Sequence, residues 1–307
     1  MLRSAMLAVS RNNAVKRAVV GFGPTSRVVD RFVAGESLDD CVASVRRLVG
    51  AGLLATVDHL GEDTTTEALA SATTESYLEL LRRLDAEGLS SACEVSVKMT
   101  ALGLELPGGL EIAADNAGRI CAAARSAGTT VTVDAEDHTV TDAVLDITDA
   151  LRETYPETGT VLQAYLHRTP ADCRRYARDG VRIRLCKGAY DEPASVAHRS
   201  RQAVDAAYLE CLRILIKGGG YPMVATHDPL MIEQALAYAD VAGRAPDSFE
   251  LQMLYGIRTD EQARLAALGH RMRVYVPYGI DWYGYFTRRL AERPANLLFF
   301  GRALVGR

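Results

Sequence analysis

Val181-Arg-Ile-Arg-Leu-Cys-Lys-Gly-Ala-Tyr190 is the segment from which the fold of this chain can be predicted. Its first six residues alternate between apolar and polar or thiol side chains, which is the period of a β-strand with two different faces. Gly188 then permits a sharp turn or a close approach of the backbone. Two arginines on such a strand, Arg182 and Arg184, indicate an anionic partner near its end, either a ligand or a neighbouring carboxylate.

Short apolar segments of this kind alternate with helical patterns along the whole chain, starting after a helix that Ser37 is predicted to cap. The strict alternation predicts parallel strands joined by crossover helices. Eight units, with no G-x-G-x-x-G after a strand, favour a closed (β/α)₈ barrel over an open doubly wound sheet. The predicted strands are Leu53–Leu60, Glu94–Met99, Thr130–Ala135, Val161–Leu166, Val181–Cys186, Tyr221–Ala225, Phe249–Leu254 and Met272–Val276.

Composition agrees with one large cytosolic domain. The chain has 307 residues, of which 48% are hydrophobic, and a net charge of −4, so it gives no support to nucleic-acid binding. Its six cysteines include no C-x-x-C pair, which indicates reduced thiols rather than disulfides or a zinc site. No apolar run approaches the roughly 18 residues of a membrane span.

The N-terminal segment is distinct, because residues 1–29 carry five Lys or Arg and no acid. A transit peptide, an amphipathic arm on anionic lipid and a helix packed on the domain all remain open, whereas a secretory signal is disfavoured by its short apolar run. We predict an N-terminal helical arm over residues 1–37 and a single barrel domain over residues 38–307.

Polar groups recur where the predicted strands end, which is where such barrels carry their chemistry. Lys98 is open to three interpretations: a Schiff-base nucleophile, a carboxylate binder, or the partner of Asp134. Asp134 itself should be paired with a cation, since a lone buried carboxylate is costly. His227 is equally suited to act as a base or as a cofactor contact.

The cluster Glu136-Asp137-His138 follows Asp134 after one alanine and invites a metal assignment. No second histidine lies at ligand spacing, so we expect a loop and a helix cap instead, and no metal.

The last helical pattern places Tyr285, Arg288, Arg289 and Glu292 on one face at i, i+3, i+4 and i+7. A solvent-exposed helix with an Arg288–Glu292 pair would produce this pattern. A ring beside two guanidinium groups would also form a bidentate clamp for a carboxylate.

Taken together, these segments resemble the flavin-dependent proline dehydrogenase family in its short monofunctional bacterial form. The resemblance runs in order from about residue 38 to the C-terminus, and the R-L-x-K-G-A-Y and Y-x-x-R-R-x-x-E pieces make it specific. The matching pieces are Asp58-His-Leu-Gly-Glu62, Lys98, Asp134, Gln163, Arg182-Ile-Arg-Leu-Cys-Lys-Gly-Ala-Tyr190, Ala225-Thr-His-Asp228, Gln252-Met-Leu-Tyr-Gly256, Arg273-Val-Tyr-Val-Pro277 and Tyr285-Phe-Thr-Arg-Arg-Leu-Ala-Glu292.

The resemblance implies a distorted barrel of the TIM type that holds FAD across its top, with the last helix over its mouth. Arg184 would then be the cation beside the reactive flavin nitrogen, Asp134 would orient the cationic residues, and Glu62 would pair with Arg288 as a gate, with Glu292 on the same helix face. Implied FAD contacts are Ala135, Gln163, Lys187, Gly188, Ala189, Thr226 and His227, and implied substrate contacts are Lys98, Tyr255, Tyr275, Tyr285, Arg288 and Arg289.

The expected activity is oxidation of L-proline to pyrroline-5-carboxylate, the first step of proline catabolism to glutamate. Electrons would pass to a membrane quinone and a separate dehydrogenase would take the product, with the enzyme in the cytoplasm or peripherally on the inner face of the membrane. Three alternatives stay open: a flavin barrel of the methylenetetrahydrofolate reductase kind, an aldolase using Lys98, and an amino acid-binding barrel without catalysis. The visible spectrum of the purified protein would discriminate between them.

Overall fold

The computed structural model describes residues 29, 31–61, 64–178 and 180–286. Eight parallel strands form a closed barrel in chain order, and the last strand pairs with the first. The strands are β1 (Leu54–His59), β2 (Cys93–Val97), β3 (Val131–Val133), β4 (Gly159–Gln163), β5 (Arg182–Cys186), β6 (Tyr221–Ala225), β7 (Glu250–Leu254) and β8 (Met272–Tyr278).

Helices cover the outside of the barrel. One precedes β1, and each of the next seven lies between two successive strands. They are α1 (Leu38–Gly50), α2 (Glu67–Ala86), α3 (Gly109–Ser126), α4 (Thr141–Thr154), α5 (Thr169–Tyr176), α6 (Arg201–Lys217), α7 (Pro229–Val241) and α8 (Thr259–Ala267). The predicted closed barrel and all eight predicted strands are therefore confirmed. None of the helices described is long and apolar enough to cross a membrane.

The two faces of β5 lie in different environments, as the alternation predicts. Ile183 and Leu185 are 1% exposed and belong to the apolar core between the sheet and the helices. Arg182 and Arg184 project into the barrel, because both guanidinium groups reach Glu94 on β2. The arginine face of this strand is therefore the one that can approach a ligand.

The bounds of most elements differ from the prediction, and two of these differences affect the surroundings of the site. The apolar pattern of the sequence predicts a helix over Val196–Lys217, but α6 begins at Arg201. The Ser200 side chain caps the helix there by accepting from the amide of Ala203 at 3.2 Å. Residues 187–200 consequently form a long loop after β5. β8 continues through Pro277, whose carbonyl accepts from the amide of Ala34 at 2.8 Å, so the segment before α1 packs on the end of this strand.

Candidate active site

A cavity of about 1030 Å³ opens at the C-terminal ends of the strands. The loop after β5 forms one of its walls, and β6 to β8 contribute another. Twelve of the residues predicted for the site line it, although they come from seven different parts of the chain: Lys98, Asp134, Ala135, Gln163, Arg184, Lys187, Gly188, Ala189, Thr226, His227, Tyr275 and Tyr285.

Arg184 is the most firmly held of these side chains and is 4% exposed. Its Nε donates to Gln252 Oε1 at 2.6 Å, and its Nη1 donates to Asp134 Oδ1 at 2.7 Å and to Ser96 Oγ at 2.9 Å. The guanidinium carbon also lies 5.2 Å from the centroid of the Tyr275 ring. Contacts on several sides fix the plane of the guanidinium group, so its charge has a defined position at the cavity wall.

Asp134 joins this arginine to a tyrosine. One carboxylate oxygen accepts from Arg184 and from Ser96 Oγ, and the other accepts from Tyr275 Oη at 2.6 Å. Burial, and then the charge of Asp134, raise the pKa of Tyr275 well above its usual range, so the phenol stays protonated and donates. The prediction that Asp134 is paired with a cation is confirmed, and that cation is Arg184.

Lys98 has a partner other than the one considered from the sequence. Its Nζ donates to Asp58 Oδ2 at 2.7 Å, and the two side chains are 10% and 2% exposed. Asp58 is the fifth residue of β1 and pairs in register with Ser96 of β2. Of the three interpretations left open for Lys98, an ion pair is observed, but with Asp58 and not with Asp134. Asp58 also lines the cavity, although no role was predicted for it.

The wall nearest the β5 loop already contains balancing charges. Lys187 donates to Asp205 at 2.5 Å and to Asp228 at 3.0 Å. His227 accepts the amide of Leu254 through Nε2 at 2.9 Å, so a neutral ring must carry its proton on Nδ1. An anionic ligand here would therefore meet a lysine balanced by two carboxylates and a histidine able to donate.

Some predicted residues are not brought to this cavity. Tyr255 follows β7 and lies against Arg47 of α1, with Oη 3.4 Å from Nη2, beside a separate cavity of about 290 Å³. Its predicted contact with the substrate ring is therefore not supported. Glu62, Arg288, Arg289 and Glu292 lie outside the described residues, so their predicted roles stay predictions.

The acid-and-histidine cluster after Asp134 forms a loop but no cap. Glu136 accepts from the backbone and hydroxyl of Thr100, and His138 pairs with Glu192. The expected helix cap is wrong, because α4 begins without a side-chain cap. Over residues 29–286, as far as they are described, no group of three or more His, Cys, Asp or Glu could hold a metal ion.

Two further residues on the cavity wall, Gln252 and Tyr190, lay within quoted motifs without an assigned role. Gln252 was identifiable as a polar residue on a buried strand, and Tyr190 as an aromatic residue directly after the turn at Gly188. Both signals exist in the sequence, but neither says toward which neighbour the side chain points.

Comparison with known proteins agrees with this arrangement. A family model described as Proline dehydrogenase matches residues 41–302. The chain belongs to the proline dehydrogenase family. It is 38% identical over 308 residues to proline dehydrogenase 1 of Bacillus subtilis (strain 168), covering 99% of both chains. It is also 38% identical over 310 residues to the proline dehydrogenase of Deinococcus radiodurans, covering 99% of this chain and 98% of that protein.

Solved structures support the fold of this proline dehydrogenase family member. The crystal structure of proline utilization A (PutA) from Bdellovibrio bacteriovorus inactivated by N-propargylglycine matches with a TM-score of 0.80 and 24% identity. The match covers 94% of this chain and 36% of the other, so the barrel described here corresponds to about a third of a longer protein.

Proposed function

We propose that the chain oxidises L-proline to pyrroline-5-carboxylate with FAD as hydride acceptor and passes the electrons to a membrane quinone. The observation that carries this proposal is a buried guanidinium group, Arg184, held by Asp134, Ser96 and Gln252 at the wall of a large cavity. A fixed cation is what favours a ligand on which negative charge develops during the reaction.

The cavity residues fit a flavin dinucleotide. The cavity has a volume of about 1030 Å³, at the upper end of the range of roughly 300 to 1,000 Å³ for ligand cavities. A dinucleotide and a small amino acid can therefore share it. Arg184, Lys187 and His227 are cationic groups or donors along one wall. Arg199 and Arg201 also line the cavity near the β5 loop, where they pair with Asp191 at 2.9 Å and with Asp205 at 3.6 Å.

When bound, FAD supplies the hydride acceptor, and the chain supplies position, charge and a dry site. Proline would lose a hydride from the carbon next to its nitrogen and a proton from that nitrogen, which leaves the imine. Arg184 would stabilise the negative charge that arrives with the hydride. Lys98, with Arg288 and Arg289, would hold the substrate carboxylate, and Tyr275 and Tyr285 would enclose the ring.

The aldolase alternative is disfavoured by the environment of Lys98. A Schiff base requires a neutral amine, whereas the Asp58 carboxylate at 2.7 Å favours the ammonium form. The family match likewise favours proline dehydrogenase over a methylenetetrahydrofolate reductase.

The purified protein should be yellow and release FAD, not FMN, on denaturation. Anaerobic proline should bleach the flavin, and a quinone analogue should restore its colour. Bound FAD that stays oxidised in excess proline would contradict the proposed substrate. A colourless protein that is trapped by borohydride in the presence of substrate would support the aldolase instead.

Cellular placement is part of the same proposal. The enzyme would act in the cytoplasm, contact the inner face of the membrane to reach quinone, and release its product to a separate dehydrogenase. Co-sedimentation with anionic lipid vesicles, compared between the full chain and a variant with the five basic residues of segment 1–29 neutralised, tests the contact.

A further inference from the structure

Glu94 lies on β2 inside the barrel, below the cavity and not on its wall. It is 2% exposed. Its carboxylate accepts from Thr56 at 2.8 Å, from Thr130 at 3.1 Å and from Thr132 at 3.2 Å. These three hydroxyl groups satisfy the carboxylate of Glu94 with hydrogen bonds, which offsets part of the cost of burying its charge.

Three arginines surround the same carboxylate. Arg182 Nη2 lies 2.5 Å away, Arg184 Nη2 lies 3.4 Å away and Arg273 Nε lies 3.9 Å away. Burial alone would raise the pKa of Glu94, but the arginines outweigh it and hold the pKa below its usual range. The three arginines therefore favour the ionised form of Glu94.

The ion network around Glu94 is neutral overall. Arg273 also donates to Glu250 at 2.7 Å, and Glu250 accepts from the Gln252 amide, whose oxygen accepts from Arg184. A continuous chain of contacts thus runs from the bottom of the barrel to the cavity wall. Three guanidinium groups face three carboxylates in it: Arg182, Arg184 and Arg273 against Glu94, Glu250 and Asp134.

We propose that Glu94 is a positioning residue that sets the net positive charge which Arg184 presents to the bound flavin. This inference rests on the proposed function, in which Arg184 lies beside the flavin. Glu94 acts on the flavin only through Arg184 and through the charge balance beneath the cavity.

The sign of the effect follows from the chemistry of arginine. Its guanidinium group does not release a proton in proteins, so removing the Glu94 charge cannot be compensated by deprotonating one of these three arginines. Glu94→Gln would leave three buried cations with two carboxylates, and the surplus positive charge would favour the reduced flavin. We expect the equilibrium constant for two-electron reduction to rise about tenfold, which corresponds to about 30 mV.

The test is the flavin reduction potential of the holoenzyme, measured by equilibration with a redox dye. Glu94→Gln should raise it, whereas the control Glu75→Gln, which removes a carboxylate from an exposed pair with Arg119, should leave it unchanged. Arg182→Gln should lower it. The double variant Glu94→Gln/Arg182→Gln, with two cations and two carboxylates left, should return it close to the wild-type value.

A merely structural role for Glu94 predicts a different pattern. The reduction potential of the double variant would then deviate from the wild-type value at least as much as that of the more affected single variant. Glu94→Gln and Arg182→Gln would also not shift the potential in opposite directions. Such a result would overturn the inference, as would an unchanged potential in Glu94→Gln.

Should Glu94→Gln fail to fold, Arg182→Gln and the double variant decide the question. Arg182 is more accessible at the barrel end, with its side chain 14% exposed. A potential that Arg182→Gln leaves unchanged would then refute the inference. Failure of the proposed function is recognised separately, because the wild-type protein would then carry no FAD or would not be reduced by proline.

Discussion

Gly188→Ala provides a sharp test of the loop that forms the cavity wall. Gly188 has φ +120°, in the region that favours glycine. A Cβ at this position would lie 2.3 Å from two ring carbons of Tyr165, which is itself 6% exposed and cannot move outward freely. Both the backbone and the packing therefore oppose any side chain at this position.

Two costs determine the magnitude. A left-handed backbone costs a non-glycine residue about 1–2 kcal/mol, and overpacking a filled site costs about 1–3 kcal/mol. Gly188→Ala should consequently lower the free energy of unfolding by about 2–5 kcal/mol, because the two costs add. Gly128→Ala is the matched control, since its φ is +75° and no atom lies within 4 Å of its Cβ position, so only the backbone cost applies.

The assay is urea unfolding of the protein without added cofactor, followed by circular dichroism. Tyr165→Ala supplies the second arm, because it removes the Cγ, Cδ1 and Cε1 atoms that a Cβ at position 188 would meet, so in its background Gly188→Ala should cost little more than Gly128→Ala. If Gly188→Ala is no more destabilising than Gly128→Ala in the wild-type background, the packing argument is refuted and the loop is looser than described.

Three further outcomes are expected. Arg288→Ala or Arg289→Ala should raise the KM for proline well over tenfold, since removing one partner of a buried, hydrogen-bonded charge pair costs roughly 2–5 kcal/mol. An unchanged KM in steady-state kinetics would mean that this helix face is a solvated surface. Lys98→Met should lower the unfolding free energy in urea by about 3–5 kcal/mol by leaving Asp58 unpaired, and adding Asp58→Asn should restore much of it; no recovery would argue against the pair. Burial lowers the pKa of His59 from 6.5, opposed by Asp58 and Asp281 and assisted by Lys98. As the pH drops below about 6.5, the unfolded chain therefore takes up a proton that the folded chain excludes, and the free energy of unfolding should decrease. In urea unfolding measured over a series of pH values, this decrease should be smaller for His59→Asn, and an equal decrease in both proteins would contradict the prediction.

The barrel could be predicted from the sequence because the apolar periods of its strands and of its helices can both be recognised within short segments. Strands with alternating or continuous apolar residues, separated by helical segments, specify the β-α repeat, and the count of eight favours closure. The start of α6 could not be predicted as well. Residues 187–200 contain helix-compatible side chains, and only the cap at Ser200 and the contacts of the loop decide where the helix begins.

The location of the site was predictable for a geometric reason. Parallel strands bring their C-terminal ends to one side, so polar residues at those ends must converge. Tyr255 shows the limit of this rule. It lies one residue beyond β7, where the side chain points away from the axis toward α1, whereas its neighbour Leu254 lines the cavity. A shift of one residue reverses the face, and the sequence does not mark where the strand ends.

Pairings across the barrel could not be predicted at all. Arg182 meets Glu94 although the two residues are 88 positions apart, and which acid faces which arginine depends on strand register and tilt. The alternation along β5 indicated that its arginines needed anionic partners. It could not distinguish a ligand from a carboxylate, and the structure shows a carboxylate partner for both.

The donor count of Arg184 shows how these internal partners shape its role. A guanidinium group has five N–H donors. Four are directed at Gln252, Asp134, Ser96 and Glu94, so at most one N–H of Nη2 is left for a ligand. Arg184 therefore acts on a bound ligand mainly through a charge of fixed position, and much less through the number of its hydrogen bonds. A lysine could carry the same charge but could not satisfy four acceptors in this planar arrangement, so the barrel interior, more than the ligand, requires an arginine at this position.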